Sequence, residues 1–159
     1  MKIFIVQAND FQKASKEIKF HKEKNSLIVV ESTNYDITKK ILERHKADIL
    51  LVPLLGKKDK MKQLDSGFDS VLARICKKNN VALGINLEEF FKSKSFKEKS
   101  NIISRIKQNI KLCNKYKISI VFFSERKRDL YDLKAFCIVL GLQTFLVKNI
   151  NFYKIGINQ

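Results

Sequence analysis

Short apolar runs alternate along this chain with longer stretches whose apolar residues recur at helical spacing, and the exchange between the two patterns marks out the elements. Residues 2–7, 27–31, 49–52, 81–85 and 118–123 read as strands, and 144–147 as a weaker sixth. Helices fill the intervals: 11–22 behind a capping Asp10, 35–45 behind Asn34, and 68–78 behind the turn Asp65-Ser66-Gly67. A short helix follows at 87–91, the longest at 98–116, and the last at 129–140, where Gly141 stops it. The run 49–52 has the length of a buried parallel strand, and Pro53 blocks its continuation because it lacks the ladder N–H. Strand–helix alternation of this kind requires crossover connections and a mainly parallel sheet, hence an α/β fold.

About six βα units in 159 residues fall short of a closed eight-stranded barrel, which usually needs at least about 200 residues. The expectation is a TIM-barrel-like βα repeat forming one domain over 1–159, with the barrel short or incomplete. Its terminal strands would offer open edges, so pairing with another chain or homodimerisation is expected of it.

Composition is that of an ordinary globular domain, with 45% hydrophobic residues, five Gly and one Pro. Charge changes the picture. Lys and Arg number 32 against 16 Asp and Glu, a formal +16 that favours polyanions, nucleic acid first among them. A genome biased towards Lys, Asn, Ile and Phe explains Lys over Arg but would raise Glu as well, so the basic excess remains. Met1-Lys2-Ile3-Phe4-Ile5-Val6 reads as a strand and not as a signal peptide, and no apolar run approaches membrane-spanning length; a cytoplasmic, non-membrane protein is expected. Cys76, Cys113 and Cys137 show no C-x-x-C spacing and lie on apolar helix faces, which points to core packing and away from disulfides or zinc.

The basic residues cluster. Lys57, Lys58, Lys60 and Lys62 crowd the loop after the third strand, and Arg126, Lys127 and Arg128 follow the fifth. Since parallel strands point one way, both loops should lie at the C-terminal end of the sheet and make one positive surface. These residues, with Arg74 as a weaker member, are the candidate nucleic-acid contacts. Ser66 and Asp69 resemble a capping box around Gly67, a structural role that accounts for them without a ligand; in a functional role, that helix start and its upstream lysines would grip a phosphate. Lys92, Lys94, Lys97 and Lys99, and the row Lys107, Lys111, Lys115 opposite an Ile103, Ile106, Ile110 stripe, read first as solvated surface and second as RNA contacts.

Catalytic patterns are missing. His21 and His45 stand near helix ends and away from strand C-termini, and the chain has no H-E-x-x-H, P-loop, dinucleotide fingerprint or G-x-S-x-G elbow. Asp10, Glu31, Asp65 and Glu88 fall near strand ends, where caps and first-turn acids explain them equally well. No catalytic, cofactor-binding or metal-ligating residue is assigned.

One family shares this pattern. Ala47-Asp48-Ile49-Leu50 through Pro53, Lys58-Asp59, Asp65-Ser66-Gly67-Phe68-Asp69 with Val71-Leu72-Ala73-Arg74, and Asn80-Val81-Ala82-Leu83 follow one another in order. Asn109, Leu112, Tyr116, Ser124 and Asp132-Leu133 continue the series. Over residues 27–141 the chain resembles archaeal ribonuclease P protein component 3, with the D-S-G-F-D helix start the most specific element. The resemblance implies a TIM-type barrel that binds the catalytic RNA of ribonuclease P beside the RRM-like protein component 2 and the other protein subunits. It implies that the complex removes 5′ leaders from precursor tRNA, with chemistry supplied by the RNA and its magnesium ions and no cofactor held by the protein. Departures are a start near what resembles the family's third strand, a longer and more lysine-rich 53–65 loop, and Lys127-Arg128-Asp129 where an Arg-x-Pro-Asp-like turn is expected. The alternatives are a metal-dependent phosphoesterase on a similar barrel and a general basic RNA-binding protein.

Overall fold

In the computed structural model, residues 2–57, 59 and 64–155 are described. The elements follow in the order β1 (Ile3–Gln7), α1 (Phe11–Glu23), β2 (Leu27–Glu31), α2 (Tyr35–Arg44), β3 (Ile49–Leu51), α3 (Ser70–Asn79), β4 (Ala82–Asn86), α4 (Glu88–Lys92), α5 (Phe96–Tyr116), β5 (Ile120–Ser124), α6 (Leu130–Val139), α7 (Thr144–Val147) and β6 (Asn151–Lys154). The six strands form one sheet in the order β1-β2-β3-β4-β5-β6, with every neighbouring pair parallel. A sheet wound in sequence order curls without reversing, and the result is an open half-barrel.

Alternation along the strands divides the interior in two. Val6, Ile28, Val30, Leu50, Leu83, Ile85, Ile120 and Phe122 share the main core with helix residues such as Ile18, Ile41, Leu72, Ile106, Ile110 and Leu133. On the concave face, Val29, Ile49, Leu51, Val121 and Phe123 form a smaller cluster, with Ile3, Leu27, Ala82, Tyr153 and Ile155 at its margin. Gly84 lies in the middle of that face, where a β-carbon would come within 3.0 Å of both Ile49 Cγ2 and Phe123 Cε2. Cys76, Cys113 and Cys137 are fully buried free thiols in the main core, as expected, and burial pushes the Cys76 and Cys137 thiols up to about 12.

Several expectations need correction. Residues 144–147 are a short helix, and the sixth strand is Asn151–Lys154, set by its register on β5, with Val121 opposite Asn151 and Phe123 opposite Tyr153. Thr-Phe-Leu-Val has strand propensity, but Leu142, Leu146 and Ile150 are all needed in the main core, and packing overrides so short a preference. Helix α3 begins at Ser70 and not at Phe68, because Gly67 at φ +72° turns the chain left-handed first. Asp69 is the cap, accepting from the Val71 and Leu72 N–H groups, while the Ser66 hydroxyl folds in on Phe68. Helix α5 begins earlier than expected, at Phe96, through a capping box in which Ser95 accepts from Glu98 N–H and Glu98 accepts from Ser95 N–H. Its buried stripe is Ile102, Ile106 and Ile110, with Ile103 only half-buried.

Candidate nucleic-acid interface

The described parts of both loops lie at the C-terminal end of the strands, and α4 joins residues 54–55 to residues 124–125. Two neighbouring glutamates reach in opposite directions: Glu89 accepts from the Leu54 (2.6 Å) and Leu55 N–H groups after β3, while Glu88 accepts from Ser124 Oγ (2.6 Å) and Glu125 N–H (3.0 Å) after β5. Asn86 holds α4 in place by accepting from the Glu88 N–H at 3.0 Å. Burial raises the Glu89 carboxyl above its ordinary value despite the two backbone donors. Burial pushes Glu88 the same way, but Ser124, Glu125, Lys92 and Arg128 together outweigh it and leave Glu88 below the usual carboxylate value.

From the other side, Arg105 of α5 braces the loop after β3. Its buried guanidinium donates to the Leu54 carbonyl at 2.6 Å, the Lys57 carbonyl at 3.0 Å and Asp59 Oδ1 at 2.8 Å. Asp59 Oδ1 also accepts from the Asp65 N–H at 3.0 Å, so one carboxylate ties the two limbs of the loop together. Sequence reading missed Arg105. The available signal was its place, with Asn109, among Ile102, Ile106 and Ile110 on one helix face, where two polar residues interrupt an apolar stripe.

The predicted contacts have unequal surroundings. Arg126 and Lys127 are exposed, and neither has a carboxylate partner among the described residues. Arg128 is half-buried, donates from Nε to Ser124 Oγ at 3.4 Å and stacks on the Phe91 ring at 4.2 Å from its centroid. Lys57 is also half-buried. Its ammonium donates to the Ser66 carbonyl at 3.2 Å and lies across Gly67, where a β-carbon would sit only 1.6 Å from Nζ. Burial lowers the Lys57 ammonium below its ordinary value, with nearby Arg105 adding to the shift and Asp65 and Glu89 opposing it. Arg74 lies a turn into α3, with Nε bonded to the Ser70 carbonyl of its own helix. Lys58, Lys60 and Lys62 lie outside the described residues.

Exposed aromatic rings accompany the cations at this end. Phe91 is 49% exposed, Phe96 at the start of α5 is 89% exposed, and Tyr131 just after the Arg126–Arg128 turn is 81% exposed. Bare rings beside guanidinium and ammonium groups suit stacked bases and phosphates together. Lys92 is engaged with Glu125, and the row Lys107, Lys111, Lys115 faces solvent. Among the described residues, no three His, Cys, Asp or Glu side chains converge to hold a metal ion, and no helix is long and apolar enough to cross a membrane.

Comparison with known proteins agrees with this geometry. The profile of the family described as RNase P subunit p30 matches residues 2–150. The chain is 32% identical over 135 residues to ribonuclease P protein component 3 of Methanococcus maripaludis, covering 85% of this chain and 53% of that protein. To the same component of Methanococcus vannielii it is 28% identical over 150 residues, covering 94% and 62%. The chain thus spans about half the length of the first of these relatives. A chain in a cryo-EM structure of archaeal ribonuclease P with mature tRNA superposes with a TM-score of 0.75 at 25% identity, over 92% of this chain and 62% of that one. On the profile match and the shared half-barrel, this chain belongs to the RNase P subunit p30 family.

Proposed function

We propose that this chain is a protein subunit of ribonuclease P that binds the catalytic RNA, together with protein component 2, and supports 5′-leader removal from precursor tRNA. The observation that carries the reading is the turn after β5: Ser124 and Glu125 are fixed by Glu88, and the turn then presents Arg126 and Lys127 to solvent with no carboxylate partner among the described residues. Lysines and arginines at this end neutralise RNA phosphates and lower the magnesium the RNA needs to fold and dock its substrate. In this reading the bond-breaking chemistry belongs to the RNA and its magnesium ions, and the site of action is cytoplasmic.

The test is a salt titration of binding to ribonuclease P RNA with Arg126→Glu/Lys127→Glu. Each lost phosphate contact should reduce the slope of log affinity against log salt by about one, so the double variant should show a slope shallower by about two and at least roughly tenfold weaker binding at low salt. Both side chains are exposed and unpaired among the described residues, so the melting temperature should stay at the parent value. Unchanged affinity and slope would remove this surface from the interface.

A further inference from the structure

The opposite end of the sheet, where the strands begin, holds a groove of about 410 Å³ between the ends of α3, α5 and α7. Lys77, Lys117 and Lys148 line it, with Asn80, Asn149 and Asn151 between them. No carboxylate lines it, and none of the three lysines has an ion-pair partner among the described residues. The basic excess of the chain does not by itself produce such a groove. Of two other grooves of similar size, one carries Asp65 and Asp69 beside Lys111, and the other Asp10 and Glu17 beside Lys13.

Two of the lining residues hold unusual backbone. Asn80 and Lys117 close α3 and α5 at φ 56°, in the left-handed region where glycine is the usual helix terminator. Asparagine is a familiar second choice there, but lysine is not. Lys117 therefore holds a left-handed turn that a glycine would hold without strain, and it lines the groove. A structural role for the lysines is complementing the negative C-terminal poles of the helices. Each pole amounts to roughly half a charge, so the poles of α3 and α5 offset only about one of three full positive charges.

We infer that this groove is a second phosphate-binding site, taking backbone phosphates of an RNA segment other than the one at the Arg126–Arg128 end. The inference rests on the RNA-binding reading above and extends it to a second face. Five-residue strands such as β4 and β5 separate the two ends by about 16 Å, roughly twice the screening length at physiological salt, so the two sites act as independent contacts. Asn80, Asn149 and Asn151 line the groove beside the lysines, and asparagine amides can donate hydrogen bonds to phosphate oxygens.

The experiment uses the whole chain labelled with ¹⁵N, titrated separately with a short RNA hairpin and with inorganic phosphate, and compares it with Lys77→Gln/Lys117→Gly/Lys148→Gln. Glycine at position 117 keeps the left-handed turn, so the triple variant should melt at or slightly above the parent temperature. The expected result is RNA-dependent shifts at the Asn80, Lys117 and Asn149 amides that vanish in the triple variant and persist in Arg126→Glu/Lys127→Glu. RNA affinity at low salt should fall by about tenfold in the triple variant, and the loss should add to that of the double variant. Shifts with inorganic phosphate but none with RNA would overturn the RNA assignment and leave a small-anion site. No shift with either probe would overturn the site itself. RNA-dependent shifts at the groove with none at the Arg126–Arg128 end would count against the proposed function and leave the groove standing.

Discussion

Arg105→Met should destabilise the fold by about 3 kcal/mol and lower the melting temperature by roughly 6–12 °C, although the residue lies on a helix far in sequence from the loop it holds. The guanidinium is 3% exposed and serves three acceptors, the Leu54 and Lys57 carbonyls and Asp59. Methionine fills the volume but leaves the buried Leu54 carbonyl without its donor, and an unpaired buried acceptor forfeits its solvation in full. Arg105→Lys should fall between the two, because one ammonium cannot span the three acceptors. Acid dependence provides a second readout. Hydrogen bonds from Arg105 and from the Asp65 N–H hold the Asp59 carboxyl below its ordinary value in the folded state. A lowered folded-state value contributes stability above the unfolded aspartate range, and that stability is lost as the pH falls through the lowered value. The parent should therefore lose this increment on acidification, and Arg105→Met should lack most of it at every pH. Melting curves and urea titrations that superimpose on the parent's would contradict the clamp.

Phe122→Ala should cost about 4 kcal/mol, close to a thousandfold in the folding equilibrium. The ring is fully buried at the centre of β5 and meets Phe136 of α6 edge to face, with centroids 6.4 Å apart. Its removal opens a cavity between the sheet and α6, a backbone-held junction that cannot collapse to refill it. Local consequences follow from the topology. Strand β6 pairs with β5 alone among the described strands, so the Asn151–Lys154 amides should lose hydrogen-exchange protection before those of β2 and β3. Tyr131→Ala, at an 81% exposed position, should change stability by no more than about 0.5 kcal/mol. Equal stability of Phe122→Ala and the parent would show that the β5–α6 junction is not packed as described.

The alternation of strands and helices was legible because parallel strands in this fold are short apolar runs and most helices open on a side-chain cap. Asp10 and Asn34 cap where the residue pattern places them. Placement of the described ends of the two loops at one sheet end followed from strand direction alone, and α4 links Leu54 to Ser124 through Glu89 and Glu88. What the sequence hid depends on distant partners. Arg105 looks like one more cation on a basic helix, and only carbonyls 51 and 48 residues away make it a core residue. Lys57 looks like its loop neighbours, yet it is half-buried over Gly67. Residues 144–147 carry strand-forming side chains, but the strand starts at Asn151, seven residues beyond Thr144, where register on β5 fixes it. Ser66 failed as a cap for a local reason: a left-handed Gly67 next to it sends the chain away before the helix can start.

Arg126, Lys127 and the Phe91–Arg128 stack give the half-barrel one face with bare cations and rings, and the lysine groove gives it another. If the proposed function holds, a protein built this way contributes to an RNA enzyme by holding RNA segments in place, and its effect is greatest when magnesium is scarce. The most direct test is a leave-one-out reconstitution: ribonuclease P RNA, component 2, the remaining protein subunits and precursor tRNA, assayed for 5′ cleavage at low magnesium with and without this chain. Cleavage should rise when the chain is added together with component 2, and Arg126→Glu/Lys127→Glu should restore less of it. Cleavage that is the same with and without the chain would contradict the proposed function.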